Sequence, residues 1–254
     1  MPKVEDIMII HSYENGPRAD ACIEYIRSVK CADDVDKMIL LPIPTTKDKH
    51  TILKTNICIY DVLDTISGHT LISGYGMPGE FIKEAEELGA TVHDLSGDEE
   101  FLLDNASITA VCALGVFLCT SRLCPCDTKI GIVGYGRIGK KLTNLFLYLG
   151  ATVRVYTTRP DARIELSRYG IGSASSTEGA DLSGLDILIN TAPATLFSPS
   201  DIPDGLRIME LASGDNFPDV PGVERYPSIP AKMFPVSAGT AWGRAIERRL
   251  IKEG

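Results

Sequence analysis

The sequence predicts an α/β protein with parallel sheets. Two observations carry this prediction. Apolar strands alternate with helical stretches along almost all of the 254 residues, and a glycine-rich turn joins one strand to one helix near the middle of the chain. A chain of this length can form two domains, each with its own core.

Four strands are expected in the first half, at 6–11, 37–43, 69–75 and 90–95. Helices are expected near 17–30 and at 80–89, where Gly89 provides a stop. The long segment 97–123 is apolar on nearly every face in its second half. This pattern favours a helix buried between two domains, although an ordinary core helix gives the same pattern.

A second α/β series begins after residue 128. Its strands are expected at 129–134, 151–157, 186–193 and 206–212. The tail 237–254 is expected to be a helix, with basic residues that suit its C-terminal end.

Charge and composition exclude some partners. The net charge is −9 and the pI is about 5.0, so there is no basic field to attract nucleic acid or anionic lipid. No apolar run reaches the roughly 18 residues that a membrane span needs, and the N-terminus lacks the form of a signal peptide. We therefore expect a cytoplasmic protein.

The seven cysteines form an odd set, and reduced thiols are the default expectation. Cys119, Cys124 and Cys126 cluster in CTSRLCPC. This cluster lacks the two-residue spacer of zinc knuckles and has no histidine nearby, so packing thiols are preferred and no metal site is predicted.

The turn GYGRIG (134–139) follows an apolar strand and opens a helix that ends at Gly150. This context indicates a Rossmann-like dinucleotide-binding unit. Gly134 permits the tight turn, Gly136 admits the diphosphate, and Gly139 allows close helix–strand packing. Tyr135, Arg137 and Ile138 complete the predicted cofactor loop. A glycine-rich turn without function is the alternative.

The next strand ends in YTTR (156–159), where an NAD site would place an acid that binds the ribose hydroxyls. Two hydroxyls and a guanidinium suit a phosphate instead. We therefore predict NADP(H) rather than NAD(H), with Thr157, Thr158 and Arg159 around the 2′-phosphate. Asp161 lies close enough to weaken this interpretation, and Arg159 capping a surface loop is the alternative.

Two further strand ends are assigned to the cofactor because the carboxyl ends of parallel strands meet at one edge. The assigned residues are Asn190, Thr191, Ala192 and Pro193, then Leu211, Ala212 and Ser213. Plain strand-terminal turns are the alternative.

Four stretches together resemble the family formed by the A subunit of dipicolinate synthase, NADP-linked dehydrogenase-like proteins of spore-forming bacteria. They are LLPIPTTKDKHTI (40–52), EEFLLDNASITAVCALG (99–115), IGIVGYGRIGKKL (130–142), and DILINTAPA with MELAS. The chain is also similar, more distantly, to D-2-hydroxyacid dehydrogenases. Their layout implies two Rossmann-like domains joined by a long interdomain helix and a returning C-terminal helix. The expected domains are 1–105 with 238–254, and 106–237.

The chain departs from both families in its catalytic side chains. Ser213 and Gly214 stand where the hydroxyacid dehydrogenases have an arginine, and Gly214 replaces the arginine that follows Leu-Ala-Ser in the synthase family. No histidine precedes the Ala-Gly-Thr of PVSAGTAWG. The N-terminal stretch HSYENGPRAD also lacks the glycine-rich opening of the synthase family. Hydride transfer assisted by an Arg–Glu–His set is therefore not expected.

The resemblance implies an NADP(H)-dependent oxidoreductase, with a small cyclic dicarboxylate such as dihydrodipicolinate in the cleft between domains. Such a substrate would be held by neutral donors from Thr45, Thr46, Asn105, Ser107 and Thr109. A solvated loop and a helix-capping segment are the alternatives for these stretches. The implied partners are further copies of the chain and a flavoprotein-like B subunit. A non-catalytic nucleotide-binding subunit, or a reductase of another small carboxylate, remain open.

Overall fold

The computed structural model describes residues 8–29, 35–175 and 180–253, and the chain forms two compact units. Unit 1 comprises Met1–Asn105 with Phe234–Gly254, and unit 2 comprises Ala106–Met233. The α-helices are α1 (Pro17–Ser28), α2 (Gly79–Glu87), α3 (Glu99–Thr120), α4 (Arg137–Tyr148), α5 (Pro160–Arg168), α6 (Ile229–Met233) and α7 (Pro235–Glu253).

Unit 1 contains a four-stranded parallel sheet in the order β1-β2-β3-β4. The strands are β1 (Ile9–Ser12), β2 (Lys37–Leu40), β3 (Thr70–Gly74) and β4 (Thr91–Asp94). Residues 6 and 7 of the predicted first strand lie outside the described residues. The central strand β3 is buried along its whole length, which explains why its sequence TLISG has no charged residue and no alternation of apolar and polar residues.

Helix α7 belongs to unit 1, where it packs closely against α1. A Cβ at Gly239 would lie 2.3 Å from the carbonyl oxygen of Arg18, and one at Gly243 would lie 2.6 Å from Cδ1 of Tyr25. Only glycine permits this approach. Between them, fully buried Trp242 donates from Nε1 to Oγ of Ser73 at 2.9 Å. The C-terminal helix is therefore part of the unit 1 core.

Unit 2 contains a six-stranded parallel sheet in the order β10-β9-β8-β5-β6-β7. The strands are β5 (Lys129–Val133), β6 (Thr152–Tyr156), β7 (Gly172–Ala174), β8 (Ile187–Asn190), β9 (Arg207–Glu210) and β10 (Glu224–Arg225). The sequence does not predict β7, β10 or α5. Strands of three and two residues are too short to show a period. The strand order reverses at β5, and ligands of such sheets bind beyond the carboxyl ends at this point.

Helix α3 corrects the expectation that no segment is long and apolar enough to cross a membrane. An 18-residue window of this 22-residue helix has a mean hydropathy of 1.8, so by length and composition the helix could cross a membrane, and it is the one such helix among the described residues. Small polar residues interrupt its apolar run without lowering the average much. The core helix of a soluble protein passes the same test, so this is only a weak indication of a membrane span.

His93, on β4, is a buried histidine of unit 1. Its Nε2 lies 3.2 Å from Oδ2 of Asp98. The pKa of His93 lies below its ordinary value, first because burial disfavours the charged ring; Asp98 opposes this shift, and Arg249 and Arg248 add to it. The native state therefore keeps this ring neutral at a pH where the unfolded chain protonates it.

Stability should consequently depend on pH through this residue. Between the folded pKa and the ordinary value near 6.5, the unfolded chain binds more protons. The His93 contribution is therefore complete above about pH 6.5 and is lost as the pH falls, by at most about 1.4 kcal/mol per pH unit. Urea denaturation at pH 7.5 and 5.5 should show a smaller difference in His93→Gln than in the wild type.

The exposed His50 provides the matched control. His50→Gln should keep the pH dependence of the wild type. If His93→Gln keeps the pH dependence of the wild type, His93 is not the residue that causes the loss of stability at low pH.

Candidate functional site

The glycine loop between β5 and α4 has the backbone that the sequence predicts. Gly134 has a φ of 90°, and its N–H donates to the carbonyl oxygen of Tyr156 at 2.8 Å. A Cβ at Gly139 would lie 2.1 Å from the carbonyl oxygen of Gly134. At Gly136 a Cβ would meet nothing within 4 Å. The loop is thus close-packed against α4 at Gly139, whereas the space beside Gly136, at the first turn of α4, is open.

This geometry fits the diphosphate of a dinucleotide. The N–H of Lys140 donates to the carbonyl oxygen of Gly136, the N-cap of α4, at 2.9 Å. The first turn of an α-helix leaves N–H groups without intrahelical acceptors, and the helix dipole favours an anion there. Gly136 and Arg137 are exposed, whereas Tyr135 is buried and has the Lys140 ammonium 4.9 Å from its ring centroid.

At the end of β6, the three residues predicted for the 2′-phosphate have different environments. Thr157 is buried, and its Oγ1 accepts from the N–H of Arg159 at 3.3 Å. Thr158 is exposed. The guanidinium of Arg159 is paired with the carboxylate of Asp161, which raises the pKa of the arginine and lowers that of the aspartate. Arg159 is therefore exposed and already has an anionic partner.

Arg163 is a basic residue of this region that the sequence did not indicate. Its Nη1 donates to the carbonyl oxygen of Thr157 at 2.9 Å. One helical turn separates it from Arg159, which caps α5, so both can lie on the same side of that helix. The four-residue spacing between Arg159 and Arg163 is the sequence feature that would have indicated Arg163 as a second basic residue of this region.

The end of β8 contacts the glycine loop directly. Oγ1 of Thr191 donates to the carbonyl oxygen of Val133 at 2.8 Å. The Asn190 amide folds the turn on itself, because its Oδ1 accepts from the N–H of Ala192 at 3.1 Å and its Nδ2 donates to the Ala192 carbonyl oxygen at 3.0 Å. Ala192 is partly exposed and Pro193 is exposed.

Glu210, at the end of β9, is a buried carboxylate that the sequence did not single out. Its two oxygens accept from Nδ2 of Asn190 at 3.0 and 3.1 Å, and Oε1 accepts from the N–H of Ala212 at 2.9 Å. Burial raises the pKa of Glu210, and the hydrogen bonds from Asn190 and Ala212 oppose that shift. Leu211 is partly buried, and Ser213 is exposed. The carboxylate thus links the turns after β8 and β9.

The predicted substrate residues lie in a loop of unit 1 and on helix α3, where Asn105 belongs to unit 1 and Ser107 and Thr109 belong to unit 2. Thr45 is fully buried; its Oγ1 donates to the Pro42 carbonyl oxygen at 3.0 Å and accepts from the N–H of Tyr75 at 2.9 Å. In this structure Thr45 therefore joins its own loop to the residue that follows β3. Oγ1 of Thr46 donates to Oδ1 of Asp48 at 2.9 Å.

On α3, Asn105 and Thr109 are four residues apart and share one face, whereas Ser107 points to another. Thr109 is buried, and the other two are partly buried. Across the described ranges, no group of three or more His, Cys, Asp or Glu side chains is placed to hold a metal ion.

These features confirm the predicted α/β fold with two parallel sheets. No family model and no curated protein matches the sequence. Among solved structures, a transhydrogenase from Sinorhizobium meliloti is similar, with a TM-score of 0.61, 14% identity, and coverage of 97% of this chain and 94% of that chain.

More similar still are two structures of the dipicolinate synthase A subunit. The protein from Bacillus halodurans has a TM-score of 0.75 and 17% identity, with 96% of this chain and 97% of that chain covered. The Bacillus subtilis protein has the same TM-score and identity, with 96% and 95% covered. The resemblance expected from the sequence is thus confirmed, and at these identities it establishes the fold.

Proposed function

We propose that this protein is an NADP(H)-dependent oxidoreductase acting on a small cyclic dicarboxylate of the dihydrodipicolinate type. The glycine loop carries the proposal, because it is closed beneath α4 and open where a diphosphate would approach. When bound, the nicotinamide ring supplies a hydride acceptor or donor. The fold shared with the A subunit of dipicolinate synthase supports the choice of substrate class.

In this proposal, the residues of the protein bind the cofactor and orient the substrate ring beside it. Backbone N–H groups at the start of α4 hold the diphosphate. Thr191, fixed to Val133, forms a wall beside the loop. Aromatisation of a dihydropyridine ring drives hydride transfer, so a site without an acid–base histidine is compatible with this reaction. The protein's contribution is then binding and orientation.

The preference for NADP(H) depends on Arg159. No acid follows Tyr156 directly, and Arg159 and Thr158 are both exposed at the end of β6. Asp161 pairs with the guanidinium in this structure. A 2′-phosphate carries more charge than a carboxylate and offers three acceptor oxygens, so it can replace Asp161 as the partner of Arg159.

Substituting Arg159 with glutamine should weaken NADPH binding about tenfold, roughly the contribution of one charge-assisted hydrogen bond. Affinity for NADH should change less than about twofold, because that cofactor lacks the 2′-phosphate. Asp161→Asn should strengthen NADPH binding, since it removes the competing carboxylate. Titration of cofactor fluorescence with protein measures all of these affinities.

Arg168→Gln is the matched control. Arg168 is an exposed arginine in the last turn of the same helix. Its substitution should leave both affinities unchanged. If the wild type binds NADH as tightly as NADPH, or if Arg159→Gln binds NADPH normally, the NADP(H) assignment is wrong.

The substrate is tested with NADP⁺ and freshly prepared dihydrodipicolinate, by following absorbance at the wavelength where NADPH absorbs. A rise in the absorbance of NADPH supports the proposal. Adding a flavoprotein-like B subunit tests the proposed partner. No turnover with or without that partner, by a protein that binds NADPH, would overturn the substrate assignment.

The second candidate function is a nucleotide-binding subunit without catalysis of its own. One observation favours it: Thr45, the first of the proposed substrate donors, is buried, and its Oγ1 is bonded to both the Pro42 carbonyl oxygen and the N–H of Tyr75. Thr109→Val separates the two functions. A catalyst should lose turnover while retaining NADPH affinity, whereas a purely nucleotide-binding protein has no turnover to lose.

A further inference from the structure

Glu210 joins several turns at the carboxyl edge of the unit 2 sheet. Its side chain is almost completely buried, and its partners are Asn190, the N–H of Ala212 and the side chain of Asn216. Its own carbonyl oxygen accepts from the N–H of Tyr226 at 2.9 Å. One residue therefore fixes three turns that follow β8, β9 and β10.

The position of Glu210 relative to the glycine loop follows from the strand order. The loop follows β5, the residues assigned to the adenosine 2′-phosphate follow β6 on one side, and β8 and β9 lie on the other. A dinucleotide with its diphosphate at the loop extends in both directions along the sheet edge. Its nicotinamide half therefore lies toward the ends of β8 and β9, where Asn190 and Glu210 stand.

A buried carboxylate is a costly way to stabilise a fold. Removing the charge from water is strongly unfavourable, and an apolar residue of similar volume often stabilises as well or better. Here the carboxylate instead fixes the orientation of the Asn190 amide. Nδ2 of Asn190 faces Glu210, and Oδ1 of Asn190 accepts from the N–H of Ala192. The interaction therefore sets a specific geometry at this edge of the sheet.

We propose that Glu210 is a positioning residue for the nicotinamide half of the cofactor. It holds the Asn190–Ala192 turn and the N–H of Ala212 in the arrangement that receives the nicotinamide and its ribose. This inference rests on the proposed nucleotide-binding function. It adds separate roles for the two ends of the site. The glycine loop and the end of β6 bind the adenosine half of the cofactor, and Glu210 positions the turns that bind the nicotinamide half.

The test compares the whole cofactor with a fragment. In Glu210→Gln, an NH2 group replaces one of the two acceptor oxygens, so a donor faces Nδ2 of Asn190 or the N–H of Ala212, and the two turns lose their fixed relation. We expect the Kd for NADPH to rise about tenfold, while the Kd for 2′,5′-ADP, which lacks the nicotinamide half, changes less than about twofold. Calorimetric titration of both ligands measures the two Kd values, and the ratio of the Kd for NADPH to the Kd for 2′,5′-ADP is compared between the variant and the wild type.

Two further variants sharpen the comparison. Asn190→Asp combined with Glu210→Gln restores a donor–acceptor pair with the roles exchanged, and it should recover part of the NADPH affinity. Glu224→Gln is the control, since it removes a carboxylate of neighbouring β10 that pairs with Arg207. It should leave the affinity for both ligands unchanged.

Each outcome is decisive. Unchanged NADPH affinity in Glu210→Gln, or equal weakening of both ligands in a folded protein, overturns the positioning role. If Glu210→Gln does not fold, Asn190→Ala removes the hydrogen bonds between Asn190 and Glu210 by changing the donor instead. The same result is then expected, a weaker affinity for NADPH with little change for 2′,5′-ADP. A wild type that binds neither ligand refutes the proposed function itself, which is a separate result.

Discussion

Replacing Gly139 with alanine is expected to lower the free energy of unfolding by about 3 kcal/mol, the upper end of what overpacking costs. The added Cβ would lie 2.1 Å from the carbonyl oxygen of Gly134 and 2.9 Å from its carbonyl carbon. Both are backbone atoms, so no side-chain rotation relieves the contact. Helix α4 would have to move away from β5, in the middle of the unit 2 core.

Chemical denaturation followed by far-UV circular dichroism measures this loss. Gly79→Ala is the control, because Gly79 opens α2 and a Cβ there would meet nothing within 4 Å. It should be neutral or slightly stabilising, since alanine favours helix. A Gly139→Ala protein as stable as the wild type would show that the helix–strand contact is not close-packed.

Gly136→Ala should leave stability within about 0.5 kcal/mol of the wild type and still abolish most cofactor binding. Its φ of −88° is open to alanine, and the added Cβ meets no protein atom within 4 Å. The methyl group would occupy the open space above the first turn of α4. One charge-assisted hydrogen bond contributes about 1.5–3 kcal/mol, so displacing the diphosphate should raise the Kd for NADPH at least about tenfold.

The same calorimetric titration, with Gly79→Ala as the reference, measures this affinity. The two loop variants are expected to differ in kind: Gly139→Ala is primarily a folding defect, and Gly136→Ala is a binding defect in a normally folded protein. Normal NADPH affinity in Gly136→Ala would place the diphosphate elsewhere.

The parts of the fold and site that can be predicted from sequence depend on local patterns. Gly134 and Gly139 are assignable because the turn, the strand before it and the helix after it are contiguous. Strands β3 and β5 are assignable for the same reason. Fold class follows once such units alternate along the chain.

The role of Glu210 cannot be predicted from local sequence patterns. Its importance depends on Asn190, twenty residues earlier, and the two meet only because β8 and β9 are neighbours in the sheet. Thr45 shows the opposite error, because a hydroxyl in a polar loop looks available in sequence, whereas Pro42 and Tyr75 engage it on both sides. Partner choice among polar groups is a property of tertiary structure and leaves no period in the sequence.

The close packing of α7 on α1 has a consequence for biosynthesis. Trp242, Gly239 and Gly243 complete the unit 1 core, yet they follow all of unit 2 in the chain. A ribosome that has made the first 105 residues has not yet made the helix that covers α1. Unit 2 can therefore fold as soon as it emerges, whereas unit 1 must wait with part of its apolar surface uncovered, a state prone to aggregation.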